Sequence, residues 1–152
     1  MKKLLLEFLT ITVTETSPET MEHALRVATA VLLIEVVRAD FIVEPSEQRR
    51  LRQLLEQQFQ LSQAELDALL EEAEADADRL ISIQHITRLL NEHYDHAMKQ
   101  RVVEMMWRLV YADGDKSHYE EHLIRQVADL LYLSQSEFIQ ARHRAEAAIE
   151  SA

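Results

Sequence analysis

Apolar side chains recur every three to four positions along almost the whole chain, and no stretch alternates convincingly between apolar and polar. A three-to-four-residue recurrence marks amphipathic helices, whereas alternation would mark half-buried strands. Only residues 9–13 have strand character, and that segment is short. Ser17-Pro18-Glu19 carries a helix start, with Ser as N-cap and Pro at the first helical position. The helix that follows is expected to run to about Ala39. Its second half is apolar on nearly every face, which predicts the central buried helix of the fold. Glu44-Pro45-Ser46-Glu47 starts another helix, with Leu51, Leu54, Leu55 and Phe59 on one side. Further starts stand at Ser82 and Asp95. Ser62 with Glu65, Ser117 with Glu120 and Ser134 with Glu137 have the Ser-x-x-Glu spacing of a capping box. The acidic run 71–78 reads as a solvated helix face. Short connections between successive helices predict antiparallel neighbours in one compact bundle.

The pattern repeats. Val37-Arg38-Ala39-Asp40 aligns with Val110-Tyr111-Ala112-Asp113 at an offset of 73, and the same offset pairs Glu47 with Glu120 and Arg52-Gln53 with Arg125-Gln126. Phe59 then matches Tyr132. After a one-residue slip, Leu61-Ser62-Gln63-x-Glu65 matches Leu133-Ser134-Gln135-x-Glu137. Two copies of a three-helix unit are expected, over approximately 22–78 and 95–148, with residues 1–16 as an N-terminal extension. Two copies are too few for a solenoid, so a single all-α bundle of about seven to eight helices with pseudo-twofold symmetry is predicted over residues 1–152.

Composition narrows the chemistry. There are 152 residues, no cysteine, one glycine and two prolines. The absence of cysteine excludes disulfide scaffolds, thiol nucleophiles, thiolate zinc sites and Fe–S clusters. The scarcity of glycine excludes Gly-rich phosphate loops, dinucleotide-binding turns and nucleophile elbows. Asp and Glu outnumber Lys and Arg by 27 to 16, a formal net charge of −11. Such a surface repels nucleic acid and anionic lipid and attracts cations or basic partners. The most apolar run, 27–37, has eleven residues and contains Glu35, far short of the roughly 20 needed to span a bilayer. The apolar start of the chain meets Glu7 with no cleavage signal behind it, so it reads as a short amphipathic helix, and a cytoplasmic location is expected.

An apolar helix that ends in Ala-Asp-Gly, with a Glu seven residues after the Asp, occurring twice in an acidic helical chain, resembles the tellurite-resistance TerB-like family. The resemblance covers roughly residues 22–144. Its best motif is Tyr111-Ala112-Asp113-Gly114-Asp115 with Glu120. The first copy, Arg38-Ala39-Asp40-Phe41-Ile42 with Glu47, departs from the pattern because Phe41 replaces the glycine. The resemblance implies an all-α fold, no established enzymatic activity and an acidic surface thought to bind divalent metal ions. It also implies association with stress resistance and multi-protein assemblies.

The residues themselves allow that chemistry at one place. Asp113, Asp115 and Glu120 bring three carboxylates to a helix–helix turn, beside the orphan carbonyls at the end of the preceding helix. Hard oxygen donors of this kind suit Ca²⁺, Mg²⁺ or Mn²⁺. An EF-hand is excluded, because His118 stands where its glycine belongs and Ile124 where its closing Glu belongs. The plain alternative assigns Gly114 to a left-handed C-cap and Ser117 with Glu120 to a capping box. Asp40 and Glu47 form a weaker version of the site, since Ile42 replaces the second Asp. His118 and His122 share a helical face, a spacing that can hold Zn²⁺, but they read first as ordinary helix residues, as do His93 and His96. Trp107, Met98, Met105 and Met106 read as core. The expected function is therefore a non-catalytic helical module that binds a divalent cation and a protein partner or a second copy. A metal-independent scaffold, and less so a paired-carboxylate hydrolase, are the alternatives.

Overall fold

A computed structural model describes residues 18–39, 45–79, 82–111 and 118–150. Among the described residues there are seven helices and no strand. They are α1 (Pro18–Ala39), α2 (Pro45–Phe59), α3 (Gln63–Asp78), α4 (Ile83–His93), α5 (His96–Val110), α6 (His118–Leu130) and α7 (Gln135–Glu150). The expected strand-like residues 9–13 and the N-terminal extension lie outside the described residues.

Each boundary has a local cause. Pro18 and Pro45 open α1 and α2, where a missing N–H is harmless. Ser62, Ser82 and Asp95 are N-caps whose side chains accept from the backbone N–H three residues on. The capping boxes at Ser62 and Ser134 both form: the Glu65 and Glu137 carboxylates accept from the N-cap N–H at 2.9 and 2.8 Å. The third, at Ser117, lies outside the described residues.

Helices α2 and α6 end in the same way despite having no glycine. Gln60 and Tyr132 adopt φ of 52° and 62°, the left-handed conformation that glycine usually supplies. Leu61 N–H then donates to Glu56 O at 3.2 Å, and Leu133 N–H to Ala128 O at 3.0 Å. These are the six-to-one bonds of a Schellman ending, and the buried Leu61 and Leu133 provide its apolar contact. The following side chains correspond as well: Arg52 Nη2 donates to Gln63 Oε1 at 3.2 Å, and Arg125 Nη1 to Gln135 Oε1 at 3.2 Å.

Helix α1 is the centre of the core. Ala24, Val27, Ala28 and every residue from Ala30 to Val37 except Glu35 are buried apolar side chains, as its all-round apolar pattern predicts. It packs against α2, α3, α4, α5 and α6. The pairings follow a common order: α1 on α3 as α5 on α7, α1 on α2 as α5 on α6, and α1 on α6 as α5 on α2. The buried apolar residues form one contiguous cluster, with Trp107, Leu32, Leu33 and Met106 among its largest members. Tyr94, at the end of α4, hydrogen-bonds Thr29 Oγ1 at 3.0 Å and so ties the helix without a counterpart to α1.

One expectation holds only in part. In the acidic run 71–78, Glu71, Glu74 and Asp78 are exposed, whereas Glu72 and Asp76 are buried, with Ala73 and Ala77 beside them. Residues four apart share a helical face, and here that face packs inward on α1. Glu72 Oε2 is held by His23 Nε2 at 2.6 Å and Asp76 Oδ1 by Arg79 Nη1 at 3.2 Å. Pairing of this kind is what makes a buried carboxylate tolerable. No helix among the described residues is long and apolar enough to cross a membrane.

Candidate functional site: the two acidic turns

The two turns singled out by the sequence lie between α1 and α2 and between α5 and α6. Of the five acids proposed there, Asp40, Asp113 and Asp115 fall outside the described residues, as do Gly114, Ser117 and Phe41. Glu47 and Glu120 are described, and each is the third residue of its helix. Glu47 is 1% exposed and Glu120 is 2% exposed.

That burial sets them apart from the capping glutamates of this chain. Glu65 and Glu137 accept from serine N–H groups at helix starts and stay in contact with water. Accepting from Ser62 and Ser134 holds both carboxyls below the usual range, the side chain of His96 adding to the effect at Glu137. A solvated N-terminal acid gains from the helix dipole at little desolvation cost. Glu47 and Glu120 sit in the same favourable first turn but have been taken out of water almost completely. The capping pattern in the sequence does not distinguish these two situations.

The approach to the second turn is braced. Tyr111 is the last described residue before it, and its hydroxyl donates to Glu146 Oε1 at 2.7 Å. Arg142 Nε donates to the Tyr111 hydroxyl at 2.9 Å and to Glu146 Oε1 at 3.2 Å. The Tyr111 ring stacks on Trp107 at 6.0 Å, and the Arg142 guanidinium covers the Trp107 ring at 5.2 Å. Arg142 also lies 3.8 Å from Glu121 in the first turn of α6. One arginine of α7 thus touches both sides of the turn. Burial, reinforced by the bond to Glu146, pushes the Tyr111 hydroxyl up. The Tyr111 and Arg142 bonds hold the Glu146 carboxyl below its usual range.

The approach to the first turn is looser. Arg38 stands where Tyr111 stands in the second copy. It donates to Asp78 Oδ1 at 2.9 Å, and both side chains are exposed.

The histidines behave as helix residues. His122 is exposed, and His96 bonds Glu137 across α5 and α7. No group of three or more His, Asp and Glu side chains among the described residues is arranged to hold a metal ion. Trp107, Met105 and Met106 are core, as expected. The Tyr111–Arg142–Glu146 brace was not read from the sequence; Arg142 and Glu146 stand four apart on α7, but nothing local points them at Tyr111.

No curated protein and no solved structure matches the chain at a significant level. A family model does. Residues 26–143 match the model of tellurite resistance protein TerB, in keeping with the all-helical fold, and the chain belongs to the TerB family.

Proposed function

We propose that this chain is a non-catalytic TerB module that holds a divalent cation at the turn after α5 and presents the adjoining surface to a protein partner or a second copy. Asp113, Asp115 and Glu120 would supply carboxylate oxygens, with Asp40 and Glu47 as weaker contributors at the first turn. Ca²⁺, Mg²⁺ or Mn²⁺ suits such donors. The cation would neutralise converging negative charge and clamp two helix ends together. Membership of the family supports a role in resistance to stress, which we place in the cytoplasm.

The observation that carries the proposal is the burial of Glu120, 2% exposed where the capping Glu65 is solvated. A carboxylate withdrawn from water at a helix start gains most from an added positive charge. The brace on Tyr111 lends further support, because a fixed helix end limits the entropy lost on binding. A metal-independent scaffold draws support from Tyr132, a large side chain left 76% exposed.

Calorimetric titration of the chelator-treated chain with Ca²⁺, Mn²⁺ and Zn²⁺ tests this. Saturable binding of Ca²⁺ or Mn²⁺ is expected, lost in Asp113→Asn and Glu120→Gln and weakened less in Glu47→Gln. Unchanged affinity in Asp113→Asn would overturn the assignment. Binding of Zn²⁺ alone would move the site to His118 and His122. No binding at all would leave the scaffold reading.

A further inference from the structure

Helices α2 and α5 enclose a cleft of about 100 Å³ lined by Leu54, Gln57, Gln58, Arg101, Met105 and Arg108. Gln58 at one end of α2 touches Met98 near the start of α5, at 3.7 Å. Leu54, nearer the middle of α2, shares the cleft with Arg108 near the end of α5. The two helices therefore run antiparallel, and the Arg101 and Arg108 guanidinium groups share one seam.

Their charges are answered only in part. Acids outnumber bases 27 to 16 in this chain, yet Arg108 makes no ion pair among the described residues. Glu104, one turn before Arg108, is engaged instead by Arg144 Nε at 2.7 Å, with Arg101 at 3.8 Å. Arg108 is partly buried, and its Nε is sealed from water with no hydrogen-bond partner. Burial and the like charge of Arg50 pull the Arg108 guanidinium below its usual range, and Glu104 offsets them only in part. A guanidinium set in such a place is unfavourable unless an anion answers it.

We propose that this cleft is an oxyanion site, binding a phosphate-type group between Arg101 and Arg108. The guanidinium fork matches two oxygens of such a group at once. The side-chain amides of Gln57 and Gln58 line the same cleft and can donate further; Gln58 Nε2 now donates only to a thioether, a weak acceptor. The volume sets the size of the ligand: it is well below the roughly 300–1,000 Å³ of pockets that enclose whole organic ligands. A single phosphate or comparable oxyanion fits the chemistry, with any larger body left in solvent. The overall charge of −11 opposes an approach to anionic membranes, which favours a free oxyanion over a lipid headgroup as the source.

The test is a titration of the full chain with inorganic phosphate, in the presence of chelator and at ionic strength matched with chloride. It is followed by ¹H–¹⁵N spectra of the arginine side chains and by Tm. Saturable shifts of the Arg108 Nε–H and a rise in Tm are expected. Affinity should fall by about 10-fold or more in Arg108→Gln and in Arg101→Gln. Arg88→Gln, an exposed position on α4, should bind as the parent does. The exposed Arg101→Gln guards against a folding defect in Arg108→Gln, and circular dichroism of each variant checks the helix content. Phosphatidylcholine vesicles carrying phosphatidic acid form a second arm. Arg108-dependent binding of these vesicles without binding of free phosphate would keep the site and make the lipid headgroup its source. No saturable response to either probe, or equal binding by parent and both cleft variants, would overturn the proposal.

Discussion

The stretches α1–α3 and α5–α7 use several of the same local devices and differ in how the first helix of each is steadied. Both second helices stop on a left-handed residue that is not glycine, both third helices start with a formed Ser–Glu capping box, and both bury a glutamate in the first turn of the second helix. They differ in what steadies the helix leading into the turn. In the first half it is an exposed Arg38–Asp78 pair. In the second it is Tyr111, locked between Trp107, Arg142 and Glu146. The comparison teaches that a buried acid is kept in both halves, while the scaffolding around it is elaborated in only one. The elaborated half is also the one that retains Gly114 and Asp115.

The largest effect should come from attacking the shared core. Trp107→Ala removes a fully buried indole and should lower stability by about 3–5 kcal/mol. Ile34 is its counterpart at the offset of 73, and Ile34→Ala should cost about 2–5 kcal/mol. Urea unfolding followed by circular dichroism should show one transition in both variants, because α1 and α5 belong to the same apolar cluster. Two transitions, each variant weakening only its own, would mean that the halves are independent.

A smaller and more discriminating effect is expected at the turns. Tyr111→Phe removes a partly buried hydroxyl from Glu146 and Arg142 and should cost about 1–3 kcal/mol. Arg38→Gln breaks an exposed pair and should cost no more than about 1 kcal/mol. Thermal unfolding of the two variants side by side measures the difference. Equal losses would show that the brace adds nothing beyond an ordinary surface ion pair.

The smallest effect is the pH dependence of that difference. The folded Glu146 carboxyl is held below its ordinary value of 4.5, first by the Tyr111 hydroxyl and then by Arg142. A depressed folded pKa contributes stability that is present above the unfolded value and lost as pH falls through the folded one. The gap in Tm between the parent and Tyr111→Phe should therefore hold steady near neutrality and narrow below about pH 4.5. A gap that widens on acidification would exclude Glu146 as the group responsible.

The sequence made the helices legible because their causes are local. Caps, prolines and a three-to-four-residue period act within a few positions, and they placed α1 through α7 and the buried course of α1. It misled where burial depends on which face of a helix meets a neighbour. The acidic run 71–78 was read by its charge, although Leu69, Ala73 and Ala77 mark an inward stripe that carries Glu72 and Asp76 with it. At the candidate site the position of Glu120 was legible and its burial was not, because Ser-x-x-Glu describes a solvated cap and a sealed carboxylate equally well. Asp40, Asp113 and Asp115 lie outside the described residues.

The wrapping of α1 bears on how the protein is made. A helix apolar around nearly its whole circumference leaves the ribosome before two of its coverings, α5 and α6, which are synthesised only after residue 95. At about 5–20 residues per second, that leaves several seconds in which the stickiest segment of the chain is only half clothed. The acids along its flanks, and whatever chaperone meets the nascent chain, have to keep it from the wrong company until the second half arrives.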